Sequence, residues 1–176
     1  MKRILIIGGA GFIGFHLAKK LVKENYVDLL DDFSRGKKDN ELKELLKNKK
    51  IKLINLNLLT NNSIINRLSR NYTHIFHLAA VVGVRNVLET PYKVLTKNIS
   101  LLEKAIDIGK KQLKLKRFIF ASSSEVYYGT LKNYGLKFPT PEETKLSTLD
   151  LFDKRGTYML SKIYGEAMCQ LSNLPF

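Results

Sequence analysis

Short apolar runs recur along the chain, and a segment of helical or polar character follows each of them. Residues 4–7 form the first run, and apolar positions with helical spacing then continue over residues 12–23. A short run that is apolar throughout is typical of a strand covered on both faces of a sheet. The same pattern predicts further strands at residues 27–30, 51–54, 74–78 and 117–121.

Helical periodicity fills the intervals between these strands. Beyond residues 12–23, it predicts helices at residues 40–48, 62–69, 90–111 and 157–171. Residues 133–149 contain Gly135, Pro139 and Pro141, which predict a loop. Strands that alternate with helices indicate an α/β fold with a Rossmann-type, doubly wound parallel sheet. At this length we expect one domain over residues 1–176.

The composition narrows the class of partner. The formal net charge is +14 at pH 7, which taken alone favours an anionic partner such as a nucleic acid or a phosphorylated ligand. The lysines are scattered along the predicted helices, without the arginine clusters and interleaved aromatic residues that are typical of nucleic-acid binding. We therefore expect no nucleic-acid partner.

Neither a membrane partner nor a disulfide is expected. No apolar run reaches the roughly 18 residues that a membrane-spanning helix needs. Cys169 is the one cysteine of the chain, so it cannot form an internal disulfide, and a reducing compartment is the simplest interpretation. We expect a cytoplasmic protein.

A glycine-rich segment, GGAGFIG at residues 8–14, lies between the first predicted strand and the first predicted helix. Glycines in this position allow a tight turn, a close approach of backbone to pyrophosphate, and close packing of helix on strand. The first amides of the helix then face the phosphates. We expect a dinucleotide to be bound by Gly8, Gly11, Phe12, Ile13 and Gly14.

Asp31 and Asp32 follow the second predicted strand, at a distance from the glycines where an acidic side chain can accept hydrogen bonds from the adenosine ribose. A carboxylate there also repels a 2′-phosphate, which favours NAD over NADP, although Arg35 follows closely. The alternative interpretation is an acidic pair that only begins a loop.

Tyr158 and Lys162 are four residues apart, so they lie on one face of a predicted helix. A lysine cation near a tyrosine lowers the pKa of the phenol, which can then accept a proton from a hydroxyl group. The same spacing is common among solvent-exposed neighbours, so the pair does not indicate a site by itself.

Five motifs occur together in a recognisable order. They are GGAGFIG at 8–14, the acidic pair, HLAA at 77–80, SSSEVY at 122–127 and YMLSK at 158–162. In this order and spacing the chain resembles the extended short-chain dehydrogenase/reductase family, the NAD-dependent nucleotide-sugar epimerases, dehydratases and decarboxylases. The resemblance covers essentially the whole chain. It implies NAD as the cofactor, a UDP-linked nucleotide sugar as the substrate, and transient oxidation at C4 of the sugar.

The resemblance also implies roles for single residues. Ser123 would hydrogen-bond the sugar oxygen that alternates between alcohol and ketone. Tyr158 would move the proton of that oxygen, and Lys162 would hold the nicotinamide ribose. Ser124 and Glu125 look like the corresponding residues of UDP-glucuronate decarboxylases and of some epimerases, whereas dehydratases typically have Asp at position 124.

Further cofactor contacts follow from the same resemblance. They fall on Asn57, Leu58, Leu78, Ala79 and Ala80. Asn57 stands where the family usually has Asp, and Asn98 matches a helix asparagine that is usually structural. His77 is expected to be a packed histidine and not a catalyst. No metal site is expected.

Relatives continue beyond the position of Phe176 into a smaller lobe that encloses the nucleotide sugar, so we expect most of that substrate lobe to be absent from this chain. Two alternatives to an active enzyme therefore stay open. One is a cofactor-binding fragment without turnover, and the other is a non-enzymatic NAD-sensing interaction protein. Relatives commonly dimerise through the helix that carries the Tyr–Lys pair, which makes a homodimer a further expectation.

Overall fold

The computed structural model describes residues 1–60 and 68–176. Five parallel strands form one sheet in the order β3-β2-β1-β4-β5. The strands are β1 Arg3–Ile7, β2 Tyr26–Asp31, β3 Ile51–Asn55, β4 His74–His77 and β5 Arg117–Phe120. Both ends of each predicted strand lie within one residue of the ends of an observed strand. The predicted parallel α/β fold is therefore confirmed.

The helices connect these strands. They are α1 Phe12–Leu21, α2 Asn40–Leu45, α3 Val84–Glu89, α4 Pro91–Lys110, α5 Tyr128–Tyr134 and α6 Gly156–Leu171. A 3₁₀ turn covers Ser124–Tyr127. The helix predicted at residues 62–69 lies, except for Leu68 and Ser69, outside the described residues.

Two helices differ from the predicted pattern. The helix predicted at 90–111 is observed as α4, but it is preceded by a short helix, α3, that the pattern did not predict. Helix α3 begins after Gly83, which has a φ of 109°, and an ion pair joins Arg85 and Glu89 on it at 2.9 Å. The loop prediction is wrong at residues 133 and 134, because α5 continues to Tyr134. Contacts distant in sequence support α5, since the Thr130 hydroxyl donates to the Lys145 carbonyl at 2.9 Å and accepts from the Ser147 amide at 2.9 Å.

The chain divides into two compact units. The first contains Met1–Ala80, Ser100–Ala121 and Cys169–Phe176, and the second contains Val81–Ile99 and Ser122–Met168. The sheet belongs to the first unit, where Leu5, Ile6, Leu29 and Ile75 are fully buried. Burying such a side chain contributes about 1.5 to 3 kcal/mol, so the central strands carry much of the stability of this unit.

A buried polar network lies beside this core. Asp28 in β2 accepts hydrogen bonds from the Arg3 guanidinium, at 2.9 and 3.2 Å to Oδ2, and from the Tyr72 hydroxyl at 2.6 Å. Burial first, and then the bond to Asp28, raise the pKa of the Tyr72 phenol. The network gives a buried carboxylate the partners that it needs.

The order of the strands reverses between β1 and β4. In sheets of this kind, ligands bind beyond the carboxyl ends of the strands at such a point. The glycine loop follows β1 and the HLAA motif begins at the last residue of β4, so both predicted cofactor segments lie there. Within residues 1–60 and 68–176, no helix combines the length and the apolar character needed to cross a bilayer.

Candidate active site

The glycine loop at residues 8–14 joins β1 to α1 in the first unit. Gly8 has a φ of +83°, and a Cβ atom there would lie 2.7 Å from the Ala79 backbone nitrogen. A Cβ atom at Gly14 would collide with the Gly8 carbonyl oxygen and lie 2.8 Å from the Gly9 Cα. The close approach of the loop to the chain after β4, and of α1 to the loop, therefore requires glycine at both positions.

Gly11 has a different environment. A Cβ atom there would meet only the Gly8 carbonyl oxygen, at the ordinary contact distance of 3.4 Å. The packing of the protein thus does not require glycine at this position, whereas a pyrophosphate lying against the loop does. Gly11 is also the N-cap of α1 without a side-chain cap, and the first turn has no acidic residue. The amides of Phe12 and Ile13 therefore begin a helix that is suited to an anion.

Asp31 ends β2 and is 9% exposed. Its Oδ2 atom accepts a hydrogen bond from the Ala10 amide at 2.9 Å, and its Oδ1 atom accepts one from the Phe33 amide at 2.8 Å. The carboxylate thus attaches the glycine loop to the end of β2. Each oxygen has a second lone pair, so these bonds are compatible with the predicted acceptor role toward a ribose.

Asp32 is exposed and is paired with Asn57. The Asn57 amide nitrogen donates to Asp32 Oδ2 at 2.9 Å, and Asn57 Oδ1 accepts from the Leu59 amide at 2.9 Å. An aspartate at position 57 would instead place a second carboxylate beside that of Asp32, and the two negative charges would repel each other. Leu58 is 2% exposed, so almost none of this residue is open to a cofactor in the structure.

The HLAA motif begins at His77, the last residue of β4. The Leu78 amide donates to the Ile7 carbonyl at 2.8 Å, and Ala79 is the residue that Gly8 approaches. Ala80 follows it at the end of the motif. The buried His77 ring stacks on Phe120 with 6.0 Å between the ring centroids, which supports the predicted packing role of this histidine.

The predicted catalytic residues lie in the second unit. Ser123 precedes the 3₁₀ turn, where its Oγ accepts from the Glu125 amide at 3.2 Å. Its hydroxyl also lies beside the Tyr158 phenol, where it favours the phenolate and acts to lower the pKa of Tyr158. The Lys162 side chain is 5% exposed, and its Nζ lies 5.6 Å from the centroid of the Tyr158 ring. The structure thus brings Ser123, Tyr158 and Lys162 together.

The pKa of the Tyr158 phenol is raised, and the prediction that it is lowered is wrong for the protein alone. Burial of the half-buried phenol is the largest cause because it disfavours the phenolate. The nearby Ser123 hydroxyl opposes this effect, and the negative charge of Glu125 adds to it. The Lys162 ammonium lies over the ring, where it is attracted to the π electrons, and its charge does not offset the burial.

Ser124 and Glu125 are exposed and begin the 3₁₀ turn, which Val126, 3% exposed, anchors in the second unit. Because the charge of Glu125 acts on Tyr158, this carboxylate belongs to the surroundings of the phenol. Among the described residues, no group of three acidic, histidine or cysteine side chains could hold a metal ion.

Comparison with known proteins places this geometry in a family. The NAD dependent epimerase/dehydratase family matches residues 4–174. The chain belongs to this family. A UDP-N-acetyl-α-D-glucosaminuronate decarboxylase from Bacillus cytotoxicus is 41% identical over 132 residues, which are 72% of this chain and 38% of the relative. An uncharacterised UDP-glucose epimerase from Bacillus subtilis is 33% identical over 99% of this chain and 52% of its own length. The chain thus spans about half the length, or less, of these curated relatives.

Solved structures agree with membership of the epimerase/dehydratase family. A UDP-glucuronic acid 4-epimerase from Bacillus cereus, in complex with UDP-glucuronic acid and NAD, has a TM-score of 0.78 at 28% identity over 97% of this chain and 52% of that chain. A UDP-Glc/GlcNAc 4-epimerase from Campylobacter jejuni has a TM-score of 0.81 at 23% identity over 98% of this chain and 49% of that chain, which shows the shared fold. The predicted Rossmann-type fold and the predicted family are confirmed.

Two further contacts in this epimerase/dehydratase chain support the segments that carry the predicted catalytic residues. The Asn98 amide donates to the Ser161 hydroxyl at 3.3 Å, and that hydroxyl donates to the Tyr158 carbonyl at 2.7 Å. The Ser122 hydroxyl donates to the Glu166 carboxylate of α6. The sequence pattern does not single out Ser161 or Glu166, although both are polar residues close to Lys162 in a largely apolar helix.

Proposed function

We propose that the protein binds NAD and takes part in the transient oxidation of a UDP-linked sugar at C4. The observation that carries this proposal is the placement of two groups at the Tyr158 phenol, the Ser123 hydroxyl beside it and the Lys162 ammonium 5.6 Å from the centre of its ring. A hydroxyl, a phenol and a buried cation form a group that can move a proton to and from an alcohol. Family membership supports NAD, and the names of the relatives support the UDP-linked sugar.

The residues of the first unit fit a dinucleotide. The amides at the start of α1 and the space beside Gly11 suit a pyrophosphate, and Asp31 retains acceptor capacity for a ribose. Asp32 and Asn57 would contact the adenosine, and the backbone from Leu78 to Ala80 would lie along the cofactor. When bound, NAD supplies the acceptor for the hydride of the sugar C4 and returns the hydride later.

The residues of the second unit would handle the proton. Ser123 would donate a hydrogen bond to the C4 oxygen, and Tyr158 as the phenolate would accept the proton of the C4 hydroxyl. Because burial raises the pKa of Tyr158, this role needs positive charge close to the phenol. Lys162 supplies one such charge, and in our proposal it also binds the nicotinamide ribose.

Two outcomes of this chemistry stay open. A 4-epimerase returns the hydride to the opposite face of the ketone. With a uronic acid, oxidation at C4 produces a β-keto acid. The bond from the carboxylate to the sugar ring then breaks, carbon dioxide leaves, and the electrons of that bond are delocalised into the C4 ketone. Ser124 in place of an aspartate disfavours the loss of water that a dehydratase performs. Both a decarboxylase and an epimerase are among the relatives, so we propose this pair of reactions without choosing between them.

Titration of the 176-residue chain with NAD, and then with UDP-glucose and UDP-glucuronate, tests the proposal. NAD binding measured by calorimetry is the expected result. NAD binding without binding of either sugar would favour the alternative of a cofactor-binding half without turnover. If NAD instead altered the binding of a protein partner to this chain, the alternative of an NAD sensor would be favoured. A chain that is folded and does not bind NAD would contradict the proposal. The homodimer and the cytoplasmic location also remain predictions.

A further inference from the structure

Helix α6 carries three ionisable side chains at intervals of four residues, which are Tyr158, Lys162 and Glu166. Residues at this spacing share one face of a helix. The proposed chemistry uses the first two and gives Glu166 no role. Yet the Glu166 carboxylate has a specific partner, since it accepts a hydrogen bond from the Ser122 hydroxyl.

The partner of Glu166 is the residue next to Ser123. Ser123 itself lies beside the phenol of Tyr158, eight residues before Glu166 on the same helix. With a rise of 1.5 Å per residue, the backbone positions of Tyr158 and Glu166 are about 12 Å apart along α6. The two neighbouring serines therefore meet side chains from different turns of the helix. Two such contacts restrict the direction of the backbone at Ser122 and Ser123 more than one contact would.

The rest of the turn is consistent with this arrangement. Ser123 is in an extended conformation, with φ −157° and ψ 149°, and it caps the 3₁₀ turn that follows. The negative charge of Glu166 also reaches the end of that turn. Partial burial, followed by the charges of Glu142, Glu166 and Glu143, raises the pKa of Tyr127. Glu166 is therefore hydrogen-bonded just before the turn, and its charge acts on the last residue of the turn.

We propose that Glu166 is a positioning residue, which holds Ser123 against Tyr158 by accepting the hydrogen bond of Ser122. This inference rests on the proposed roles of Ser123 and Tyr158. It assigns the effect to the hydrogen bond and not to the negative charge, because the charged group that acts on Tyr158 is Glu125.

Substitutions separate the hydrogen bond from the charge. Ser122→Ala removes the donor, and Glu166→Ala removes both the acceptor and the charge. Glu166→Gln removes the charge and keeps an oxygen that can accept the bond. Glu103→Ala, at an exposed glutamate of α4, is the matched control.

The readout is the pKa of individual tyrosines in the 176-residue chain, followed by NMR of ¹³C placed at the tyrosine Cζ atoms. Tyr158→Phe and Tyr127→Phe assign the two signals. The Ser123 hydroxyl acts to lower the pKa of Tyr158, so Ser122→Ala and Glu166→Ala should raise that pKa, by an amount comparable to Ser123→Ala. Glu166→Gln should leave the pKa of Tyr158 unchanged and lower that of Tyr127, and Glu103→Ala should change neither.

The inference is overturned if Ser123→Ala raises the pKa of Tyr158 and Ser122→Ala does not. It is also overturned if Glu166→Gln changes the pKa of Tyr158 as much as Glu166→Ala, because the charge would then be responsible. If Ser123→Ala has no effect, the placement of the Ser123 hydroxyl beside Tyr158 is refuted, and the proposed function loses its main support together with this inference. Ser122 is exposed, so Ser122→Ala decides the matter even if Glu166→Ala unfolds the chain.

Discussion

The Asp31 carboxylate accepts a hydrogen bond from the Ala10 amide at 2.9 Å. Its other oxygen accepts from the Phe33 amide, so the residue predicted to bind a ribose also holds the glycine loop and the chain after β2. A substitution of Asp31 therefore acts on a ligand through two routes. One is the lost acceptor, and the other is a glycine loop that is no longer attached to β2.

Asp31→Ala is expected to weaken NAD binding by about 1 to 3 kcal/mol, the scale of a lost hydrogen bond to a charged group. Calorimetric titration with NAD measures the change. Asp39→Ala is the control, because Asp39 also accepts from a backbone amide, that of Leu42 at 2.8 Å, but caps α2 and not the glycine loop. Equal NAD affinity in Asp31→Ala and the unaltered chain would remove Asp31 from the site.

Gly11→Ala should reduce NAD affinity by about tenfold or more, which is 1.4 kcal/mol, while the thermal midpoint of unfolding stays close to that of the unaltered chain. The reason is that the protein tolerates a Cβ atom there, at 3.4 Å from Gly8, and a pyrophosphate would not. Gly156→Ala is the matched control, since a Cβ atom at Gly156 would also fit, with its nearest neighbour at 3.7 Å, and Gly156 lies outside the glycine loop. Undiminished NAD binding by Gly11→Ala would mean that no phosphate lies against the loop.

Tyr72→Phe should destabilise the fold by about 1 to 3 kcal/mol, because it removes a 2.6 Å hydrogen bond to the buried Asp28 carboxylate. Urea denaturation gives the free energy of unfolding. Tyr26→Phe, at an exposed tyrosine of β2, should change it little. Equal stability of the two variants would show that Arg3 alone satisfies Asp28.

The same tyrosine sets a dependence of stability on pH. Its pKa in the folded protein is raised above the ordinary value of 10.0. Above pH 10 the unfolded chain therefore loses a proton that the folded protein retains, and the free energy of unfolding falls as pH rises, by at most about 1.4 kcal/mol per pH unit. Tyr72→Phe should make this fall shallower. An identical slope in the variant would contradict the raised pKa.

Tyr158→Phe should abolish any turnover of a UDP-linked sugar, by this chain or by a longer form that contains it, and leave NAD affinity nearly unchanged. The phenol is the proposed proton acceptor, and its ring stays in place over Lys162 in the variant. Tyr164→Phe, at an exposed tyrosine of the same helix, is the control. Turnover that survives in Tyr158→Phe would mean that another group accepts the proton.

The sheet could be predicted from the sequence because its strands are short runs that are buried on both sides, and such runs are apolar throughout. The glycine loop was predictable for a related reason, since Gly8 and Gly14 are positions where no other residue fits. Helix α5 was not predictable, because hydrogen bonds from Thr130 and Asn133 to residues near position 147 support it.

The pKa of Tyr158 shows a second limit of sequence patterns. Spacing placed Lys162 on the correct helix face, and the two side chains do meet. Spacing contains no information on how deeply the phenol is buried, and burial is what decides the direction of the shift. The roles of Ser161 and Glu166 were hidden for the same reason, since each depends on a partner distant in the chain.

Asn98 accepts from the Val81 amide at 2.7 Å and donates to the Val81 carbonyl at 3.1 Å. Its carboxamide therefore pairs with both backbone groups of one residue, as a neighbouring β-strand would. A single side chain of α4 thus satisfies the donor and the acceptor of one backbone residue within the second unit. Leucine at position 98 would have a similar size but would leave both Val81 groups without these bonds, and aspartate could accept from the amide but not donate to the carbonyl.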